Sequence, residues 1–275
     1  MNTFKTGLLL AVVGAIAVGI GAAFFGVKGA VIGLLIALAF QGFSLFAGHK
    51  MAIRFARAQE LGPTQIPWLH EATERLSQKA GIPTPKLYLS PDPQPNAFAA
   101  GWKPEVAVVC FNQGLIELMP REEVIAVLAH ELAHIKNRDM LTMTVAAAAA
   151  SFINMLAYAA ILIPMGDDRD RNPLVEILIF IFAPISATII QLAISRTREF
   201  GADATAAELM GNPRPMMNAL QSLERGTHSI PSRTAEPATA HMYIASPFNG
   251  GGFLGKLFST HPPVKDRIAA LQTLA

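Results

Sequence analysis

Charge is scarce in this chain. Of its 275 residues, 15% are charged and 52% hydrophobic, where a soluble domain carries roughly 25% charged residues. The deficit is local: Thr6–Val27, Gly29–Gly48, Met140–Met165 and Ile177–Ser195 contain no Asp, Glu, Lys or Arg at all. Elsewhere the charge density is close to the soluble norm, so a disordered chain, a purely soluble protein and a bare membrane bundle are excluded. Cysteine is nearly missing too. A lone Cys110 rules out an internal disulfide and any multi-cysteine metal knuckle, and reads as a small buried hydrophobe in a strand. The net charge of +2, without a basic arm, removes the electrostatic case for nucleic acid.

What is present begins with the four apolar runs. A bilayer core needs about 20 apolar residues of helix, and lipid offers no partner to free backbone groups, so the runs are expected to be transmembrane helices. Pro164 is placed to end the third, and Pro184 to kink the fourth. Lys5 before the first run raises a cleaved signal peptide as a competing reading. The run continues to Val27 without a polar cleavage region, however, and the second follows after Lys28, which favours a retained tight hairpin. Lys50, Arg54 and Arg57 follow the second run, Lys136 and Arg138 precede the third, and Arg196 and Arg198 follow the fourth. By the positive-inside rule, both termini and the soluble portion are expected on the cytoplasmic side of the plasma or inner membrane. The organisation expected is a transmembrane hairpin at 1–50, a soluble piece at 51–139, a second hairpin at 140–195 and a second soluble piece at 196–275.

In the first soluble piece, Trp68–Ala80 reads as an amphipathic helix burying Leu69, Ala72, Leu76 and Ala80, stopped by Gly81 and Pro83. Lys86–Ser90 and Glu105–Phe111 read as strands, with Asn96–Gly101 extended between them. Arg121–Asp139 reads as one helix, with Pro120 at its start and Glu122 and Glu123 suiting its dipole. In the second piece, Arg196–Met210, Met216–Arg225 and Pro263–Leu274 are expected helices. The intervening 226–260 segment, rich in Gly, Pro, Ser and Thr, is either a flap over a site or a plain linker.

His130-Glu131-Leu132-Ala133-His134 carries the chemistry. Positions i and i+4 of a helix share a face, so both imidazoles reach one ion. Zinc accepts such nitrogens, and Glu131 lies where it can take a proton from water activated there. Val124, Val127, Leu128, Leu132 and Ile135 give this helix an apolar backing. A hydrolytic zinc site takes three protein ligands. Glu199 is either the third or a solvated charge paired with Arg196 or Arg198. Asp203, one turn on, can accept a hydrogen bond from a ligand imidazole. Membrane geometry favours Glu199. Met140 lies about 9 Å along a continuous helix from His134, and Ser195 about 6 Å from Glu199, so antiparallel neighbouring spans deliver all three to one depth.

These residues, with the paired N-terminal runs, Asn96–Gly101, Arg196–Asp203, and Thr260-His261-Pro262-Pro263 before Arg267, resemble the HtpX-type integral-membrane zinc metalloproteases. That family is distantly related to the CAAX prenyl proteases. The resemblance implies an α+β membrane protein with four transmembrane helices. Its cytoplasmic catalytic domain would be mostly helical, zincin-like (gluzincin) and built on a small β-sheet. It implies His130, His134 and Glu199 as ligands of one Zn2+, Glu131 as catalytic base and Asp203 as the acid behind the ligands. It also implies Asn96, Ala97, Phe98 and Ala99 as an edge that pairs with substrate backbone. His261 is either an oxyanion donor or a cap on the final helix, and Arg267 either borders the site or pairs with a buried acid. His228 and His241 remain possible approaches to the metal, whereas His49 and His70 read as surface residues.

The reading is a zinc endopeptidase at the cytoplasmic membrane face, embedded in the lipid bilayer. Membrane proteins or unfolded polypeptides are its substrates, in stress-related quality control. Intramembrane proteolysis is disfavoured by the charges of Arg121, Glu122, Glu123, Lys136, Arg138 and Asp139, and prenyl-peptide processing by the four-span design. A non-catalytic zinc-stabilised chaperone or adaptor has no need of Glu131. The sequence carries no signal for oligomeric state.

Overall fold

The computed structural model describes residues 2–143, 145, 196–232, 244 and 261–274. Apart from residues 140–143 and 145, the expected second hairpin lies outside the described residues, as do His241 and most of the 233–260 stretch.

Helix α1 (Asn2–Phe55) is two arms folded back at Gly26, where φ is 62° and ψ −147°. Glycine reaches that conformation without a Cβ clash. The arms touch backbone to backbone. A Cβ on Gly21 or Gly29 would strike the other's carbonyl, and one on Gly33 would strike that of Ala17. Gln41 Nε2 donates to the Leu10 carbonyl across the hairpin at 3.2 Å.

A four-stranded mixed sheet follows, in the order β1-β2-β4-β3: β1 (Gln59–Glu60), β2 (Lys86–Ser90), β3 (Ala97–Ala100) and β4 (Val108–Asn112). β2 and β4 are parallel, and the outer pairings are antiparallel. Side chains alternate across it. Leu87, Ala97, Val109 and Phe111 enter the main core. Phe98, Ala100, Val108 and Cys110 face Ala52 and Ile53 of α1 and Ala56 just after it. Because β4 is buried on both faces, its sequence is almost wholly apolar. Burial pushes the Cys110 thiol pKa far up, leaving it an inert hydrophobe.

The helices of the core are α2 (Pro67–Ala80), α3 (Gln113–Leu118), α4 (Arg121–Lys136), α5 (Arg196–Met210), α6 (Arg214–Ser229) and α7 (Val264–Gln272). α2 ends at Gly81 in the left-handed conformation, φ 70°. α4 is the central rod: Val124, Val127, Leu128, Leu132 and Ile135 are all fully buried.

Three expectations are corrected. The helix expected over Arg121–Asp139 is broken. α4 ends at Lys136, Arg138 takes a left-handed φ of 57° and a further helix starts at residue 139. The strand expected over Glu105–Phe111 starts at Val108, because Pro104–Val106 forms a 3₁₀ turn with proline at its first position. The segment expected to be irregular from residue 226 is helical as far as Ser229.

The β2–β3 connection packs against α3, with Gly114 N–H donating to the Asp92 carbonyl at 3.1 Å. A Cβ on Gly114 would collide with the Pro93 carbonyl. Gly114→Ala should therefore cost about 1–3 kcal/mol, as overpacking does, and lower the melting temperature in detergent by several degrees. An unchanged melting temperature would show that the connection yields freely.

Candidate metal centre

His130 and His134 stand one turn apart on α4, with ring centroids 4.7 Å apart and planes at 88°. Their Nε2 atoms face each other at 3.1 Å. α5 packs along α4 and brings Glu199 to them. Its Oε2 lies 3.8 Å from His130 Nε2 and its Oε1 3.7 Å from His134 Nε2. Glu199 is 0% exposed, which removes the reading of a solvated surface charge.

These three residues fit a metal. Their ligand atoms lie within 4.8 Å of one another, and the buried Glu199 Oε1 has no hydrogen-bond partner. Two imidazole nitrogens and one carboxylate form the donor set of a catalytic zinc site with a fourth position left for water or substrate.

Carboxylates stand behind both imidazoles. His130 Nδ1 lies 3.0 Å from Asp203 Oδ1. Asp203 is gripped by Arg267, which donates from Nε at 2.7 Å and Nη2 at 2.6 Å. Arg267, fully buried, thus pairs with a buried acid and borders the site as well, its Nη1 being 3.6 Å from Glu199 Oε2. His134 Nδ1 meets Asp139 Oδ2 at 3.1 Å, and Arg198 Nε lies 3.6 Å from Asp139 Oδ1. His261 Nδ1 donates to Glu199 Oε2 at 2.9 Å.

Burial is the largest influence on every titrating group here, and partners decide the sign of the outcome. For Glu131, 4% exposed, burial wins and raises the pKa to about 7. The nearby Glu199 charge adds to it, while His134 and a hydrogen bond from the Ala99 N–H oppose it. For His134, burial pulls the pKa down but is outweighed by Asp139, Glu199 and Glu131, and the value rises to about 9. For His130, burial prevails and its pKa is lowered. Glu199 and Asp203 are both pushed up by burial, then held below the usual carboxylate range. His261, His134 and Arg267 do this for Glu199, and Arg267 with His130 for Asp203.

Of the edge segment expected to meet substrate, the Asn96 side chain is committed elsewhere: its Oδ1 accepts from Ile244 N–H at 3.0 Å. Phe98 packs towards α1. Asn112 N–H donates to the Asn96 carbonyl at 2.8 Å. Antiparallel alternation then turns the backbone groups of Ala97 and Ala99 away from β4. His228, on α6, is exposed, with Nδ1 2.7 Å from the Glu224 carbonyl, and it is not among the metal-facing residues. His70 Nε2 bonds the Gly62 carbonyl at 3.0 Å. Sequence reasoning missed Asp139 and the Ala99 amide. The usable signal for Asp139 was that His134, like His130, needs an acceptor behind its second nitrogen.

Glu199→Ala should lose stoichiometric zinc, whereas Asp139→Asn and Asp203→Asn should each weaken binding about 10–100-fold. Competition with a chelator measures this, and an unchanged affinity in Asp139→Asn would reduce that carboxylate to packing. The pH dependence has a definite sign. A histidinium cannot ligate, and His134 in the metal-free site holds its proton up to about 9. Zinc affinity should therefore rise from pH 7 towards 9, with at least one proton expelled per ion. Titration calorimetry in buffers of different ionisation enthalpy reads that proton, and a binding event that releases none would contradict a protonated His134.

Comparison with known proteins agrees with this geometry. Peptidase family M48 matches residues 63–275. A protease HtpX homolog of Salinibacter ruber is 44% identical over 276 residues, covering 100% of this chain and 99% of that one. A protease HtpX homolog of Sulfurihydrogenibium sp. is 43% identical over 288 residues, covering 100% and 96%. The crystal structure of S. mikatae Ste24p aligns with a TM-score of 0.52 at 18% identity, over 98% of this chain and 64% of that chain, a likeness of fold. With its motif, its buried ligand set and its full-length match to HtpX homologs, the chain belongs to peptidase family M48 and is a metalloprotease.

Proposed function

We propose that this chain is a zinc endopeptidase of the cytoplasmic membrane face, cutting extended segments of damaged membrane proteins or unfolded polypeptides in quality control. The observation that carries the reading is the place of Glu131. It lies between the two ligand histidines on α4, is buried beside them, and sits on the helix that packs against β3. The reading includes four membrane-spanning helices. Its support is the Phe25–Phe43 segment of α1, long and apolar enough to cross a bilayer and only 11% buried, together with the three other charge-free runs and the Lys and Arg asymmetry.

Zinc bound by His130 Nε2, His134 Nε2 and Glu199 supplies Lewis acidity, acidifying water and polarising a peptide carbonyl. The remaining work falls to this chain's own groups. Asp139 accepts from the His134 Nδ1–H, and the Asp203 carboxylate stands 3.0 Å from His130 Nδ1, so each Nε2 lone pair is left facing the centre. A peptide pairing with β3 would use the backbone of the half-buried Ala99, which faces away from β4, whereas Ala97 is fully buried. That pairing holds the scissile bond extended beside Glu131. Glu131, on the same face of the site, would accept the proton of the attacking water and return it to the leaving amine. His261 donates its Nδ1–H to the Glu199 carboxylate. Its buried Nε2, without a hydrogen-bond partner, therefore carries a proton toward an oxyanion only as the imidazolium.

Glu131→Gln keeps the shape of the site and removes the base. It should retain zinc and lose casein hydrolysis by at least 100-fold, the lower range of general-base contributions. Zinc content and casein cleavage are measured on the same preparation. Near wild-type cleavage by the metal-replete variant would sink the endopeptidase mechanism.

A further inference from the structure

We infer that the β3–β4 turn, Trp102 with Lys103, is seated in the phospholipid headgroup layer, so that the open edge of β3 rises from the bilayer towards the metal centre. The inference rests on the membrane reading above and adds a lipid contact to it.

Its basis is the way α1 crosses the sheet. Ala56 lies at one end, where its carbonyl accepts from Ser90 Oγ at 2.6 Å. Ser90 pairs with Asn112 in β4, and Asn112 bonds Asn96 at the start of β3. Phe46 lies at the other end, its ring 5.4 Å from that of Trp102 in an edge-on contact. Phe46–Ala56 therefore runs alongside Asn96–Trp102, about 15 Å of helix beside about 20 Å of extended chain. β3 runs antiparallel to α1, with its turn pointing back towards the apolar arm.

The apolar segment ends at Phe43. Phe46 follows one helical turn later and is 65% exposed. Trp102 is thus held at the end of the apolar arm, just before Lys50, the depth at which the amphipathic indole settles. Cations surround that depth. Lys103 Nζ lies 4.8 Å over the Trp102 ring, with its side chain 43% exposed and only a long 4.0 Å contact to Glu105. Lys50 and Arg54 are exposed one and two turns beyond Phe46, where anionic headgroups attract them. Gly101 fixes the turn's direction: its φ is 146°, and a Cβ would lie 3.0 Å from the Ala107 Cα.

A consequence follows for substrate. Ala99, on the strand against which the Glu131 helix packs, lies three residues up the strand from Trp102, or about 10 Å. A polypeptide pairing with this edge would extend along the membrane normal, so segments just outside a membrane span are the favoured targets.

The chain has two tryptophans, so Trp68→Phe leaves Trp102 as sole reporter. The full-length variant is reconstituted in vesicles of phosphatidylcholine and phosphatidylglycerol. Lipids brominated near the headgroup end of the acyl chain should then cut Trp102 emission more than halfway. Lipids brominated deep should quench less, and aqueous iodide should quench weakly. Trp102→Phe, with Trp68 kept, should show no such quenching. Retention of the protein in vesicles after an alkaline wash is scored separately. A chain that washes off overturns the membrane reading and this inference together. A chain that stays while Trp102 is open to iodide and untouched by bromolipid overturns the inference alone.

Discussion

Two imidazoles buried with their Nε2 atoms 3.1 Å apart can present lone pairs to a cation only if something else holds their outer protons. Asp203 and Asp139 do so, and each in turn is a buried acid that folding cannot leave unpaired. Arg267 answers Asp203 with two hydrogen bonds, and Arg198 approaches Asp139 at 3.6 Å. The centre is thus a set of charges, each justified by the next, with Glu199 supplying the carboxylate that lacks a protein partner on one oxygen. A cation completes that balance. This is why two helices far apart in sequence, α4 and α5, carry matching pairs four residues apart.

The same buried set explains why α4 is so closely enclosed. A misplacement of about 1 Å would weaken ligation and orientation alike, so α4 is enclosed nearly all round instead of presenting one polar face. The sheet gives α4 a wall, and the end of α1 gives the sheet its second wall through Ala52, Ile53 and Ala56. The N-terminal helical hairpin is therefore joined to Glu131 by continuous packing. A change in the tilt of α1 would be felt at β3 and at Glu131.

Much of this was legible in the sequence, for identifiable reasons. The spacing of His130 and His134 fixes a shared helix face, and Gly81 and Gly211 mark helix ends by their need for positive φ. The apolar run around Cys110 marks a strand covered on both sides. The parts that were not legible depend on tertiary contacts. Arg138 takes a left-handed φ that its residue type does not advertise, and without that break Asp139 could not turn back to His134. The two-residue β1 and the six-residue α3 are too short to leave a periodic trace. Pro104 forced a turn where apolar content alone suggested strand. The fate of Arg267 could not be read, because its acid lies 64 positions away in the chain.

Ile244 draws the strand edge and the metal centre into one unit. Its N–H donates to Asn96 Oδ1 at 3.0 Å, and its carbonyl accepts from Arg267 Nη1 at 3.1 Å. Both backbone groups of this one residue, 3% exposed, are satisfied by side chains from opposite ends of the fold. Asn96 opens the strand that would receive peptide backbone, and Arg267 fixes the acid behind His130. Losing either contact would strand a buried backbone group, which costs about 1–3 kcal/mol. The side chain of Asn96 therefore serves to register β3 against the ligand helices. The backbone groups of Ala97 and Ala99 face away from β4.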